Sequence, residues 1–160
     1  MHNLANSYAE AGRRDEALKM REEVLTLRGK VNGPEHPETL NAMINLANSY
    51  ADAGREDDAL KMREEALTLC RKVNGPTHRD TLNAMTELAN SYRVVGRIEN
   101  AITLEEESLR LKRQHLSAGH SWTIESIENL AAWYEEADRK AEAEALRKEA
   151  AELKAKVHNK

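Results

Sequence analysis

The sequence predicts an all-α solenoid built of antiparallel helix pairs. Three observations carry that expectation. The 160-residue chain repeats itself every 42 residues, the positions that persist between copies are apolar at helical spacing, and no Phe is present to build a conventional aromatic core. Residues 1–42 match 43–84 at 32 of 42 positions, 43–84 match 85–126 at 16 of 42, and 85–118 match 127–160 at 9 of 34, without a gap. The persistent positions include Leu4/Leu46/Leu88/Leu130, Ala5/Ala47/Ala89/Ala131, Tyr8/Tyr50/Tyr92/Tyr134, Ala17/Ala59/Ala101/Ala143 and Leu27/Leu69/Leu111/Leu153. Surface charges drift while this set stays, which is the pattern of a packing constraint repeated along a stack. The small Ala positions mark where helix axes approach.

Each unit reads as two helices. In the second copy Pro37 suits a helix start. The first helix is expected over residues 38–53, with Leu40, Met43, Leu46, Ala47 and Tyr50 on one face. Gly54 ends it, and its counterparts are Gly12, Gly96 and Asp138. The second helix is expected over residues 56–73, with Ala59, Leu60, Met62, Ala66, Leu67 and Leu69 facing inward, and Asn74-Gly75-Pro76 stops it. One pair cannot bury both of its faces, so neighbouring pairs must stack.

The balance of charge narrows the function. There are 24 basic and 28 acidic residues, and the blocks 1–42, 43–84, 85–126 and 127–160 each carry a net −1. No basic patch emerges, which argues against nucleic acid and against electrostatic docking to a membrane. No apolar run approaches the ~18 residues of a membrane span, and the N-terminal residues lack the basic and apolar regions of a signal peptide. A single Cys forms no internal disulfide and points to a reducing, cytoplasmic compartment.

Catalytic and metal chemistry is not expected, nor a cofactor. No glycine-rich phosphate loop or nucleophile elbow occurs. The members of the Glu105-Glu106-Glu107 run point in different directions on a helix. His36, His78 and His120 recur once per linker, too far apart to share an ion, and read as helix-start structure. His115 is read as structural too. Cys70 aligns with Arg28, Lys112 and Lys154, so the thiol is expected at a water-facing position. Trp122 and Trp133 occur only in the last copy and are expected to pack near the final helix.

The unit Gly-Pro-x-His-Pro-x-Thr-Leu-x-x-Met-x-x-Leu-Ala-Asn-x-Tyr-x-x-x-Gly-Arg-x-x-x-Ala-Leu resembles the 42-residue tetratricopeptide repeat of kinesin light chains and of bacterial and fungal multi-repeat proteins. Leu46-Ala47, Tyr50, Gly54 and Ala59 carry the general pattern, and Gly33-Pro34-Glu35-His36-Pro37 carries the light-chain-like linker. Arg79 and Ser121 replace the linker Pro, residues 117–121 read Ser-Ala-Gly-His-Ser, and Asp138 replaces the turn Gly. The resemblance implies a right-handed α-solenoid, a tetratricopeptide-like superhelix. It forms a single domain over 1–160 with repeats at about 1–36, 37–78, 79–120 and 121–160. Met1 aligns with Met43, so a truncated first helix is expected. Glu144 and Ala151 replace the apolar residues of earlier copies, so a polar capping helix over residues 139–157 is expected.

The resemblance further implies that the first helix of each pair lines a concave face. On that face lie Asn3 and Asn6, then Asn41, Ile44, Asn45, Asn48 and Asp52, then Asn83, Glu87 and Asn90, then Glu125, Asn129 and Glu136. The spacing of 41, 45, 48 and 52 makes one stripe. Carboxamides both donate and accept, so such a ladder can bond an extended peptide backbone without reading its side chains. It can equally bond the neighbouring helix and fix the stack. The cluster Glu125, Glu128, Glu135 and Glu136 points to a basic segment of the partner. A carboxylate clamp of the chaperone-tail kind is excluded. Asn6 and Asn45 fit it, but His2, Asn83 and Glu87 stand where it wants cations, and Glu87 would repel a carboxylate.

The resulting expectation is a non-enzymatic scaffold that holds an extended peptide or helix on its concave face. Two alternatives stay beside it: a self-assembling array (head-to-tail or domain-exchanged) and a sensor segment of a larger signalling protein.

Overall fold

A computed structural model describes Tyr8 and residues 12–158. Among these residues there are seven helices and no strand. The chain divides into two compact units, Met1–Gly75 and Pro76–Lys160. Asn3 and Asn6, and with them the expected truncated helix, lie outside the described residues.

The first unit holds α1 (Arg14–Asn32), α2 (Pro37–Asp52) and α3 (Glu56–Asn74). Each packs on the next in chain order. The boundaries fall within one residue of the expected ones. Pro37 takes the first turn of α2, where its missing N–H costs nothing. His36 precedes it as the cap, its Nδ1 accepting from the Glu38 N–H at 3.2 Å. The Thr39 hydroxyl donates back to the Gly33 carbonyl at 2.8 Å and folds the linker under the helix. Leu40, Met43, Leu46, Ala47, Ala59 and Leu60 form the buried side of the unit.

The second unit holds α4 (Arg79–Val94), α5 (Ile98–His115), α6 (Ser121–Glu136) and α7 (Lys140–His158), again packed in tandem order. His78 and His120 repeat the cap, with Nδ1 accepting from the N–H groups of Asp80 and Trp122 at 3.2 Å each. Ile102, Leu109, Ile127, Leu130 and Trp133 centre one core cluster. The persistent alanines behave as expected: Ala47, Ala59, Ala89, Ala101 and Ala143 are all 0% exposed. Leucine, isoleucine and methionine then supply the volume that phenylalanine would, each fully buried side chain contributing about 1.5–3 kcal/mol. Trp133 is buried as expected, whereas Trp122 is half-buried and carries the Arg79 guanidinium 5.1 Å from its ring centre. Gly119 lies close against α7: a Cβ there would stand 2.7 Å from Val157 Cγ2, so a side chain would have to displace the valine.

A recurrent corner joins the two helices of a pair. The N–H of Arg55 reaches back to the Tyr50 carbonyl at 2.8 Å, as do Arg97 to Tyr92 at 2.8 Å and Arg139 to Tyr134 at 2.7 Å. This bond closes the helix end around a left-handed residue. Gly54 and Gly96 supply it at φ 72° and 78°, and Asp138 adopts it at φ 58°. The arginine then lies over the tyrosine ring, with Cζ 4.4 Å from Tyr8 for Arg13, 4.5 Å from Tyr50 for Arg55 and 4.2 Å from Tyr134 for Arg139. Arginine persists at 13, 55, 97 and 139, a signal the apolar pattern alone does not include.

Cys70 departs from expectation. It is 0% exposed, not water-facing. The reason is visible at the matching position of the second unit, where Lys112 is also buried, at 3%. The position faces the packed side of the second helix, and the Lys112 cation is accompanied there by the buried Glu105 and by two hydroxyls. Leu27, by contrast, is 50% exposed although its counterpart Leu111 is buried.

Candidate interaction surface

The expected stripe forms on α2. Asn41 and Asp52 are exposed, and Ile44, Asn45 and Asn48 are half-buried. The amides are not equally open. Asn45 Nδ2 donates to the Asn41 carbonyl at 2.8 Å. Asn48 Oδ1 accepts from Arg63 of α3 at 2.7 Å, so part of this ladder ties the pair together. In the second unit Asn83 on α4 and Glu125 on α6 are exposed, while Glu87, Asn90 and Asn129 are half-buried.

The glutamates expected to form an acidic patch are partly ion-paired. Glu136 pairs with Arg93 at 3.3 Å, Glu135 with Arg147 at 2.8 Å, and Glu128 with Lys154. Each cation comes from another helix, so three of the four glutamates along α6 are ion-paired across the fold, while Glu125 is exposed.

Beneath the surface lies a polar cluster that sequence reasoning missed. Lys112 Nζ donates to Thr86 Oγ1 at 2.9 Å and to Ser126 Oγ at 2.6 Å, bridging α4 and α6 from α5. Glu105 Oε1 stands 3.7 Å from the same ammonium. Burial pushes the Glu105 carboxyl up from its ordinary value and the Lys112 ammonium down, with their mutual attraction opposing both shifts. A clue is the pair of opposite charges seven residues apart on one helix face, where the second copy carries Arg63 and Cys70 and the first Arg21 and Arg28. Tyrosine hydroxyls make a second link between successive pairs. Tyr50 donates to Glu22 at 2.9 Å, and Tyr134 donates to Glu106. Burial first, and the glutamate second, raise both phenols, Tyr134 to about 12.

Among the described residues no three His, Cys, Asp or Glu side chains converge as a metal site would require. No helix there is long and apolar enough to cross a membrane.

Helix pairs stacked in tandem, capped by linker histidines and carrying polar stripes on their first helices, define a helical-repeat solenoid of the protein-interaction class. Tetratricopeptide-repeat profiles match residues 1–62, 44–114 and 123–160. The chain belongs to the tetratricopeptide-repeat family, with repeats of the kinesin-light-chain-like type. No curated protein sequence matches it. A Podosopora anserina protein of nearly identical TPR-like repeats, provisionally described as a kinesin light chain, is similar at 26% identity and a TM-score of 0.88, over 99% of this chain and 75% of that one. BtubC (BKLC) from P. vanneervenii is similar in fold at 20% identity and a TM-score of 0.87, over 98% of this chain. The chain spans 63% of BtubC. MamA from Desulfovibrio magneticus RS-1 shares the fold at 16% identity and a TM-score of 0.71, over 97% of this chain and 74% of that one.

Proposed function

We propose that the carboxamide stripes on the first helices contact the backbone of extended peptide segments, without catalysis. The observation that supports this most is the line Asn41, Asn45, Asn48 and Asp52 on α2, repeated in kind by Asn83 and Asn90 on α4. An exposed or half-buried amide offers donor and acceptor together, which suits a peptide strand whose own groups alternate. The hydrogen bond from Arg63 leaves the Asn48 amide hydrogens for a ligand while holding the group in place. Under this reading, selection for bound peptides returns sequences with little side-chain consensus.

The test is display selection of random peptides against the chain, followed by affinity measurement on the Asn48→Ala/Asn90→Ala variant. Binding should fall at least five-fold while the helical circular dichroism stays unchanged. Equal affinity in wild type and variant would remove the stripe from consideration.

A further inference from the structure

We propose that the groove between α5 and α7, floored by α6, is a second interaction site. It takes a short acidic segment of a partner protein, with one large apolar side chain entering the groove beside a carboxylate. The groove has a volume of about 550 Å³, in the range of ligand-holding clefts. Its lining comes entirely from these three helices of the second unit and shares no residue with the amide stripes. The floor is apolar. Leu109, Leu130 and Tyr134 form it and are buried, and half-buried Leu146 of α7 is the far wall. Ala145 opens that wall, because the matching positions of the other copies carry the longer Lys19, Lys61 and Thr103.

The charges at the rim decide what the groove takes. Glu106 accepts from the Tyr134 hydroxyl, and Glu142 accepts from Arg139 Nε at 3.1 Å. Arg113 donates to both carboxylate oxygens of Glu149, at 2.7 and 2.8 Å. Arg110 and Gln114 are left. Among the described residues neither side chain has an ion pair or a hydrogen bond. Both are exposed and stand four residues apart along one edge of α5. A guanidinium with a carboxamide beside it donates to a carboxylate. The acids of the rim already have partners, so the unmatched charge is positive and an anionic ligand complements it. Arg110 follows Leu109 directly and both line the groove, so the ligand's carboxylate has to lie close to its apolar side chain. The first two copies carry Thr26 and Thr68 at the position of Arg110. The third copy thus supplies the cation, and the fourth the opening, of the same groove.

The test uses a labelled, acetylated and amidated peptide, Ala-Trp-Glu-Glu-Asp-Ala, titrated into the full chain with anisotropy as readout. Saturable binding is expected. It should be about ten-fold weaker for Arg110→Gln, which removes the cation, and for Ala145→Gln, which fills the opening. It should be unchanged for Asn48→Ala/Asn90→Ala. Arg110 and Ala145 are both exposed, and circular dichroism checks that each variant keeps its helices. Added salt should weaken binding by the wild type more than binding by Arg110→Gln. No saturation below millimolar peptide, or undiminished binding by either single variant, would overturn the proposal. So would equal binding of the control peptides Ala-Trp-Gln-Gln-Asn-Ala or Ala-Ala-Glu-Glu-Asp-Ala. Loss of binding in Asn48→Ala/Asn90→Ala would also overturn it, assigning the peptide to the amide stripe.

Discussion

Lys112 Nζ stands 3.7 Å from Glu105 Oε1, and the two side chains are 4% and 0% exposed. A buried pair at that separation gains less than its desolvation costs, and the opposed shifts of both groups toward their neutral forms say the same. The cluster specifies how α4, α5 and α6 meet, through Thr86 and Ser126, at some expense in stability.

Breaking the pair on one side should be worse than removing it. Lys112→Met leaves Glu105 buried without its cation and should cost about 3–5 kcal/mol at neutral pH, whereas Glu105→Gln/Lys112→Met should recover most of that loss. The cation also lowers the Glu105 value, so the single variant lifts it further. A folded value above the unfolded one stabilises fully below the ordinary 4.5 and less as pH rises through the folded value. Denaturant unfolding of Lys112→Met should therefore weaken from pH 4 to 7 more steeply than wild type; parallel profiles would count against a charged Glu105.

Tyr134 makes the opposite end of the pH scale informative. Its phenol is held up at about 12 from an ordinary 10, so the stabilisation is complete below pH 10 and disappears between 10 and 12. At about 1.4 kcal/mol per unit the loss is about 2–3 kcal/mol. Tyr134→Phe should be less stable at pH 8 and should show a shallower decline above pH 10, read from urea midpoints.

Asp138 occupies a left-handed corner that glycine fills at the matching sites. Asp138→Gly should stabilise the fold by about 1 kcal/mol, raising Tm by about 2–4 °C. The reverse change, Gly54→Ala, has open space around its Cβ, so its expected loss of about 1 kcal/mol reads the backbone alone. Calorimetry of the two variants, moving in opposite directions, checks the corner.

The helices were legible because their signals are local. Pro37, Gly54 and the apolar spacing of Leu40, Met43, Leu46 and Ala47 set α2 without reference to anything distant. The stripe followed, since a continuous helix places 41, 45, 48 and 52 together. What could not be read was set by partners on other helices. Cys70 looked wet because its counterparts are charged, yet Lys112 is buried beside Glu105 and two hydroxyls. Three of the four glutamates of α6 that looked like an acidic patch pair with Arg93, Arg147 and Lys154 from α4 and α7. The tyrosine–arginine corner was legible in principle, since both residues persist in every copy, but an apolar pattern search passes over arginine.

That corner carries a consequence for how such genes change. Ring, guanidinium and left-handed residue all sit within six positions, from Tyr50 to Arg55, so the bend inside a pair is encoded wholly within its own stretch of DNA. Duplicating or deleting one forty-two-residue stretch moves an intact joint with it. Arrays of this design can lengthen or shorten by recombination without inventing a new bend each time.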